Sequence, residues 1–303
     1  MKMLEIFIYK MLSTGIIMWI LYAFSSAFFA GIMSILAKVG IKDTDSNLAT
    51  ALRTVVVVFF AWIMVLIVGS YTTITEVGIK SIIFLVLSGF TTGGSWLCYF
   101  KALQIGNVNK VIPVDKSSIV LTMLISMSFL GEGFTFIKIC ALISIGTGTY
   151  LMIERKQIKA DTPKGYIWFF YAGLSALFAS MTAILGKIGI TGVESNLGTA
   201  IRTIVVLLMA WLIVVLQGKH KEIRNIDRKS WLFIGLSGLA TGLSWLFFYS
   251  ALQQGPVSVV IPIDKLSIIV TIAFSYFVLN EKLKKQAVIG LILIVAGTLS
   301  LLL

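Results

Sequence analysis

Displacing the sequence by 149 residues lays residues 19–154 on 168–303 without a gap. Ser26, Asn47, Arg53, Trp96, Asp115 and Lys116 meet the same residue types at Ser175, Asn196, Arg202, Trp245, Asp264 and Lys265. So do Trp19, Ser46, Gly89, Gly93, Ser95, Pro113 and Glu132, at Trp168, Ser195, Gly238, Gly242, Ser244, Pro262 and Glu281. A chain made of two copies of one unit must fold as two similar halves. Any site between them is built from two related sets of side chains.

The unit is too apolar for a soluble domain. Residues of the AVILMFWYC set make up 58% of the chain and charged residues 13%, against about a quarter charged in soluble proteins. Mean hydropathy is +0.99. A membrane-spanning helix needs roughly 20 mainly apolar residues. Such stretches lie at 17–40, 47–69, 81–103, 107–130 and 134–153, and again at 165–190, 196–216, 231–253, 256–279 and 283–303. The expectation is an all-α integral membrane protein with ten transmembrane helices. Residues 1–16 read as an amphipathic tail, 17–154 as the first five-helix repeat, 155–164 as a basic linker and 165–303 as the second repeat. The apolar run from Met11 passes directly into a further span and lacks a small-x-small cleavage site, so it reads as the first span and not as a signal peptide.

Five spans per copy is an odd number, so consecutive copies cross in opposite directions. Inverted-topology repeats are a common plan among secondary transporters, with the substrate site near the midplane at the repeat interface. Lys and Arg residues set the orientation. The connections after spans 1, 3, 5, 7 and 9 hold sixteen and the opposite side five. By the positive-inside rule the sixteen face the cytoplasm and both termini face outward. The copies diverge accordingly: "GKHKEIRNIDRKS" in the second is strongly basic, while "GSYTTITEVGIKS" in the first has lost nearly all its positive charge.

Several function classes are disfavoured. Cys98 and Cys140 lie inside predicted spans without a CxxC partner or a neighbouring His, and His220 sits in a basic loop, so no metal site is expected. The formal charge of +12 resides in connections between spans and points to membrane orientation, not to nucleic acid. HExxH, GxSxG and Walker motifs are lacking. No catalytic residues, no cofactor and no enzymatic activity are expected, nor ATP-driven transport by this chain alone.

The paired segments "SNLATALRT" and "SNLGTAIRT", "GFTTGGSWLCYFKALQIG" and "GLATGLSWLFFYSALQQG", then "VIPVDKSSIV" and "VIPIDKLSII", resemble two fused EamA domains of the drug/metabolite transporter superfamily. The resemblance implies a ten-helix inverted repeat around a central cavity, acting in the plasma or inner membrane as a single chain. It implies export or exchange of a small polar or charged metabolite by alternating access. Related members also suggest a lipid-linked sugar flippase or a multidrug exporter. Full-length members usually keep both termini in the cytoplasm, against the charge count here.

The candidate site follows from polar residues inside apolar spans, which are costly unless they face a cavity or one another. Asp115, Ser118 and Thr122, like Asp264, Ser267 and Thr271, are spaced i, i+3, i+7 and share one helix face. Asp115 and Asp264 are the coupling candidates, with a proton or a counter-substrate as the coupled species. Each could instead cap a helix beginning near its Pro. Lys116 and Lys265 point about 100° away and are expected to pair with a neighbouring helix or to reach the cargo. Arg53 and Arg202 lie about 10 Å into their spans and suit a cargo carboxylate or phosphate; a structural bond to Asp115 or Asp264 is the rival reading. Asn47 and Asn196 extend the arginine arcs, although Ser46 and Asn47 also fit a helix cap. Ser95, Trp96 and Tyr99, with Ser244 and Trp245 in the second copy, form the expected cavity wall. Glu132 and Glu281 read as loop or cap residues that end the fourth and ninth spans.

Overall fold

The structure, a computed structural model, describes residues 16–40, 44–105, 111, 114–152, 167–279 and 285–303. The amphipathic tail, the basic linker and Glu281 lie outside the described residues, apart from Ile16. The first repeat comprises α1 (Ile16–Gly40), α2 (Ser46–Val68), α3 (Ile79–Ile105), α4 (Ser118–Phe129) and α5 (Phe136–Met152). The second comprises α6 (Ile167–Gly189), α7 (Ser195–Leu216), α8 (Arg228–Gln254), α9 (Val257–Lys265), α10 (Ser267–Leu279) and α11 (Lys285–Ser300). Among the described residues the regular structure is entirely helical. Six helices, α1, α2, α3, α6, α7 and α8, are long and apolar enough to cross a membrane, while α5 and α11 are shorter apolar helices.

Sequence sets the helix ends. Asp45 caps α2, its carboxylate accepting the N–H groups of Asn47 (2.9 Å) and Leu48 (3.1 Å). Glu194 does the same for α7 through the Leu197 N–H (3.0 Å). The cap is therefore the acidic residue before Ser46 and Ser195, and not the Ser-Asn pair, because a carboxylate there satisfies otherwise orphaned N–H groups. Gly69 (φ 80°) stops α2 in the left-handed region, and its counterpart Gly218 (φ 69°) follows α7; glycine enters that region without a Cβ penalty.

The helices pack in pairs that interchange under the repeat. α3 lies along α6 and α8 along α1, while α2 meets α7 and α5 meets α11. Small residues permit these approaches. A Cβ on Gly89 would come within 2.6 Å of Val205 Cβ and 3.3 Å of the Arg202 carbonyl oxygen. On Gly238 it would come within 2.7 Å of Val56 Cβ and 3.0 Å of the Arg53 carbonyl oxygen. The two glycines, and the residues that they meet, are each related by the 149-residue shift.

The ninth predicted span is not one helix. α9 ends at Lys265 and α10 begins at Ser267, with Leu266 (φ −64°, ψ −8°) between them. The Leu266 N–H bonds the Ile263 carbonyl (3.0 Å) and the Ile269 N–H bonds that of Leu266 (2.9 Å). Both are i to i−3 bonds, tighter than the α pattern. Pro262, inside α9, cannot donate a helical hydrogen bond. The fourth span shows the same feature: Ser117 (φ −61°, ψ −12°) precedes α4 and donates to the Val114 carbonyl (3.2 Å). Each Asp-Lys pair therefore stands immediately before a break, where continuous helices were expected.

Helix ends collect on two sides. At one, Asn47 Nδ2 donates to Gln217 Oε1 (2.6 Å) and Lys219 approaches Asp45 (3.9 Å). At the other, Lys80, Glu132, Lys187 and Gly255 border a recess of about 500 Å³. There the Glu132 carboxylate accepts the N–H groups of Val257 (2.5 Å) and Ser258 (2.8 Å), capping α9 of the opposite repeat. Lys187 Nζ donates to the carbonyls of Leu252, Gln253 (3.3 Å) and Gly255 (2.9 Å) at the end of α8.

Candidate functional site

Between the repeats lies a cavity of about 960 Å³ with walls from both copies. Seven of the expected site residues line it: Trp96, Lys116, Arg202, Ser244, Trp245, Asp264 and Lys265. Ser118, Thr122, Ser267 and Thr271 also face it, so the polar helix face deduced from the sequence does border the cavity despite the breaks.

The acidic residues occupy equivalent positions. Ser26 Oγ on α1 donates to Asp264 Oδ1 (2.7 Å), and its counterpart Ser175 Oγ on α6 donates to Asp115 Oδ1 (2.8 Å). Ser244 lies 3.3 Å from Ser26, and Ser95 lies 3.3 Å from Ser175. Neither Ser26 nor Ser175 stood among the site candidates, although both keep their identity under the repeat shift. Asp264, only 9% exposed, sits near the end of α9 and receives a hydroxyl from another helix, which is not the geometry of an N-cap. Lys265 bonds Asp264 Oδ2 (3.4 Å), and so pairs with its own neighbour and not with another helix. Both residues belong to the last turn of α9, and the long flexible lysine stem spans the about 100° between adjacent positions.

The arginines are not equivalent. Arg202 is 3% exposed; Nε donates to Ser88 Oγ (2.9 Å) and Nη2 to Thr92 Oγ1 (2.7 Å). Its Cζ lies 5.0 Å from the ring centre of Trp245 and 4.9 Å from that of Tyr249, a geometry in which the aromatic quadrupoles attract the cation. Nη1 is buried without a hydrogen-bond partner. Arg53 instead places Nη1 3.3 Å from Met33 Sδ and is not among the residues lining the cavity. The position of Met33 is held in the second copy by Thr182, whose hydroxyl lies 3.3 Å from that of Thr92 and whose carbonyl accepts from Ser88 (2.8 Å). Tyr249 likewise replaces Phe100. Among the described residues the hydroxyl cradle therefore surrounds one arginine, Arg202, with Thr182 and Tyr249 at positions where the copies differ. Among the described residues neither arginine pairs with Asp115 or Asp264.

The remaining candidates lie away from the cavity. Asn47 and Asn196 are at helix starts, the latter donating to Glu194 Oε1 (2.8 Å). Ser95 donates to the Ser175 carbonyl (3.1 Å), and Tyr99 packs against the cluster of Ala102, Val111 and Ala172. Asp115 stands beside Lys116 without itself lining the cavity. No group of three or more potential metal ligands occurs among the described residues.

Among the described residues, paired helical repeats with long apolar helices surround a cavity lined by apolar and charged side chains, the architecture of a multi-pass membrane protein. The chain belongs to the EamA-like transporter family, whose model matches residues 17–154 and 165–303, within the drug/metabolite transporter superfamily. An "Uncharacterized transporter in cobO 3'region" from Sinorhizobium sp. is 42% identical over 134 residues, covering 44% of this chain and 95% of that protein. A whole relative thus corresponds to about one repeat. A Methanocaldococcus jannaschii protein carrying no functional name is 31% identical over 103 residues, covering 31% of this chain and 75% of its own length. A solved structure described only as "Crystal structure of protein" superposes with a TM-score of 0.73 at 16% identity, covering 93% of this chain and 96% of that one, and shares the fold.

Proposed function

We propose that the protein is a secondary active transporter that crosses the plasma or inner membrane ten times as two inverted five-helix repeats. It carries a small polar or charged metabolite through the central cavity by alternating access. The observation that carries this reading is a cavity of about 960 Å³ holding Lys116 from one repeat and Arg202, Asp264 and Lys265 from the other. Four charged side chains on one cavity wall are expensive within a membrane unless they serve cargo or ion passage. The helix breaks at the Asp-Lys pairs support it, since interrupted helices mark binding sites in inverted-repeat transporters. The interchange of helix pairs gives two similar halves that can rock about the cavity. Asp264, and by symmetry Asp115, are the coupling residues. The Lys and Arg distribution supports an orientation with both termini outside.

A membrane-impermeant thiol reagent tests alternating access. In protein carrying Cys98→Ser, Cys140→Ser and Ser267→Cys, the introduced thiol should be labelled from either face of sealed vesicles; labelling from one face alone would refute the mechanism. A reporter fused after Leu303 should be active outside, and cytoplasmic activity would reverse the orientation.

A further inference from the structure

The charges of the cavity do not balance. Lys265 and Asp264 pair at 3.4 Å and cancel. Arg202 bonds only neutral hydroxyls, and its buried Nη1 bonds nothing. Lys116 is exposed to the cavity and forms no ion pair or hydrogen bond among the described residues; Asp115 attracts it from beside the cavity while Lys265 repels it. Among the described lining residues three cations, Lys116, Arg202 and Lys265, therefore stand against one carboxylate, Asp264, and the two charged residues beside the lining, Arg53 and Asp115, cancel. Two positive charges remain, in a space where uncompensated cations are costly.

The rest of the wall describes the other end of a ligand. Trp96, Trp245 and Phe248 face the cavity and offer ring surface to an apolar body. A cationic group would enter that excess of positive charge, and the one carboxylate among the described lining residues, Asp264, is already engaged by Ser26 and Lys265. An α-amino acid would have to place its ammonium against the same excess.

We propose that the cargo is an organic anion with an aromatic or aliphatic body and no amino group. Its carboxylate is held by Lys116 near the Arg202 guanidinium, and its body lies against Trp96, Trp245 and Phe248. The assignment rests on the transport reading above and names its substrate class. It also makes the site single, since among the described residues Arg202 alone has the hydroxyl and aromatic cradle.

Three probes with one ring and different charges decide it: phenylacetate, phenylalanine and phenethylamine, titrated into the purified full chain with tryptophan fluorescence as readout. Phenylacetate should bind saturably and at least about tenfold more tightly than the other two, or about 1.4 kcal/mol. Lys116→Gln should weaken phenylacetate by a similar factor, Lys116→Arg should restore it, and Lys229→Gln, on the exposed start of α8, should leave it unchanged. Thermal unfolding of each variant verifies that it is folded. Equal or tighter binding of phenylalanine or phenethylamine, no saturable phenylacetate signal, or full affinity in folded Lys116→Gln would each overturn the proposal. Thiol labelling does not depend on cargo charge. Two-sided labelling without phenylacetate binding would reject the anion alone, whereas one-sided labelling with phenylacetate binding would reject alternating access and keep the anion site.

Discussion

Asp264 accepts the Ser26 hydroxyl at 2.7 Å across 238 residues of chain, tying the helix break of the second repeat to the first helix of the first. A carboxylate fixed this way, bonded also to Lys265 and bordering the cavity, can change partner when its protonation or its ligand changes. Asp264→Asn isolates the charge, because the amide oxygen can still accept from Ser26. Accumulation of cargo against a gradient should be lost, while the unfolding midpoint should move by about 2–4 °C or less, corresponding to about 1 kcal/mol. Undiminished accumulation would remove Asp264 from coupling. Ser26→Ala should cost about 1 kcal/mol, the usual net value of one hydrogen bond.

Arg202 separates stability from activity. Its two hydroxyl partners keep other bonds when it is removed, since Ser88 donates to the Thr182 carbonyl (2.8 Å) and Thr92 to the Ser88 carbonyl (2.9 Å). Replacement by a residue of similar reach also abolishes the cost of a buried cation without a counter-ion. Arg202→Met should therefore leave the thermal midpoint unchanged or raise it, while transport falls by at least about tenfold, equal to about 1.4 kcal/mol. Arg53→Met should reduce transport much less, because Arg53 is not itself among the residues lining the cavity, its described side-chain contact being Met33, which is. Transport assays on the two variants side by side measure the asymmetry, and equal losses would contradict it.

Most helices and the placing of polar residues along the cavity were legible in the sequence, for different reasons. Apolar length located the six long helices to within a few residues, since the bilayer dictates it. The repeat foretold that residues such as Asp115 and Asp264 would have matching surroundings, and both do bond a serine from the opposite copy. Periodicity assigns a face but not a partner: Asn47 and Arg53 share an arc by spacing, yet Asn47 bonds Gln217 at the helix start, nearly two turns from Arg53. The offset of about 100° between Lys265 and Asp264 suggests a partner on a neighbouring helix, yet the flexible lysine stem bends back to Asp264 within the last turn of α9. The single arginine cradle depends on Thr182 and Tyr249, where the copies differ; identity between copies draws attention to what is shared, and the cavity is shaped by what is not.

Glu132 acts at a distance from the cavity. It sits beyond α4, yet its carboxylate takes the N–H groups of Val257 and Ser258 at the start of α9, where the helix dipole also favours negative charge. Glu132→Gln keeps one acceptor and loses the charge, for an expected cost of about 1 kcal/mol, and Glu132→Ala about 1–2 kcal/mol. Denaturation in detergent should show this order. Equal stability of Glu132→Ala and the parent protein would mean that the cap contributes nothing to folding.

The contact between α5 and α11 gives the sharpest packing test. A Cβ built on Gly148 would lie 2.6 Å from the Gly290 carbonyl oxygen, and one on Gly290 the same distance from that of Gly148. Backbone on both sides cannot rotate away as a side chain would, so the helices must separate to admit even a methyl group. Gly148→Ala and Gly290→Ala should each destabilise by about 1–3 kcal/mol, the usual range for overpacking. Gly235, inside α8, has open space within 4 Å of the point where an alanine methyl would sit, and alanine is favoured over glycine inside a helix by about 0.8–1 kcal/mol. Gly235→Ala should therefore stabilise the protein or leave it unaffected. Thermal unfolding of the three variants under one detergent condition checks the contrast, and a Gly148→Ala variant as stable as Gly235→Ala would show that the two helices do not meet backbone to backbone.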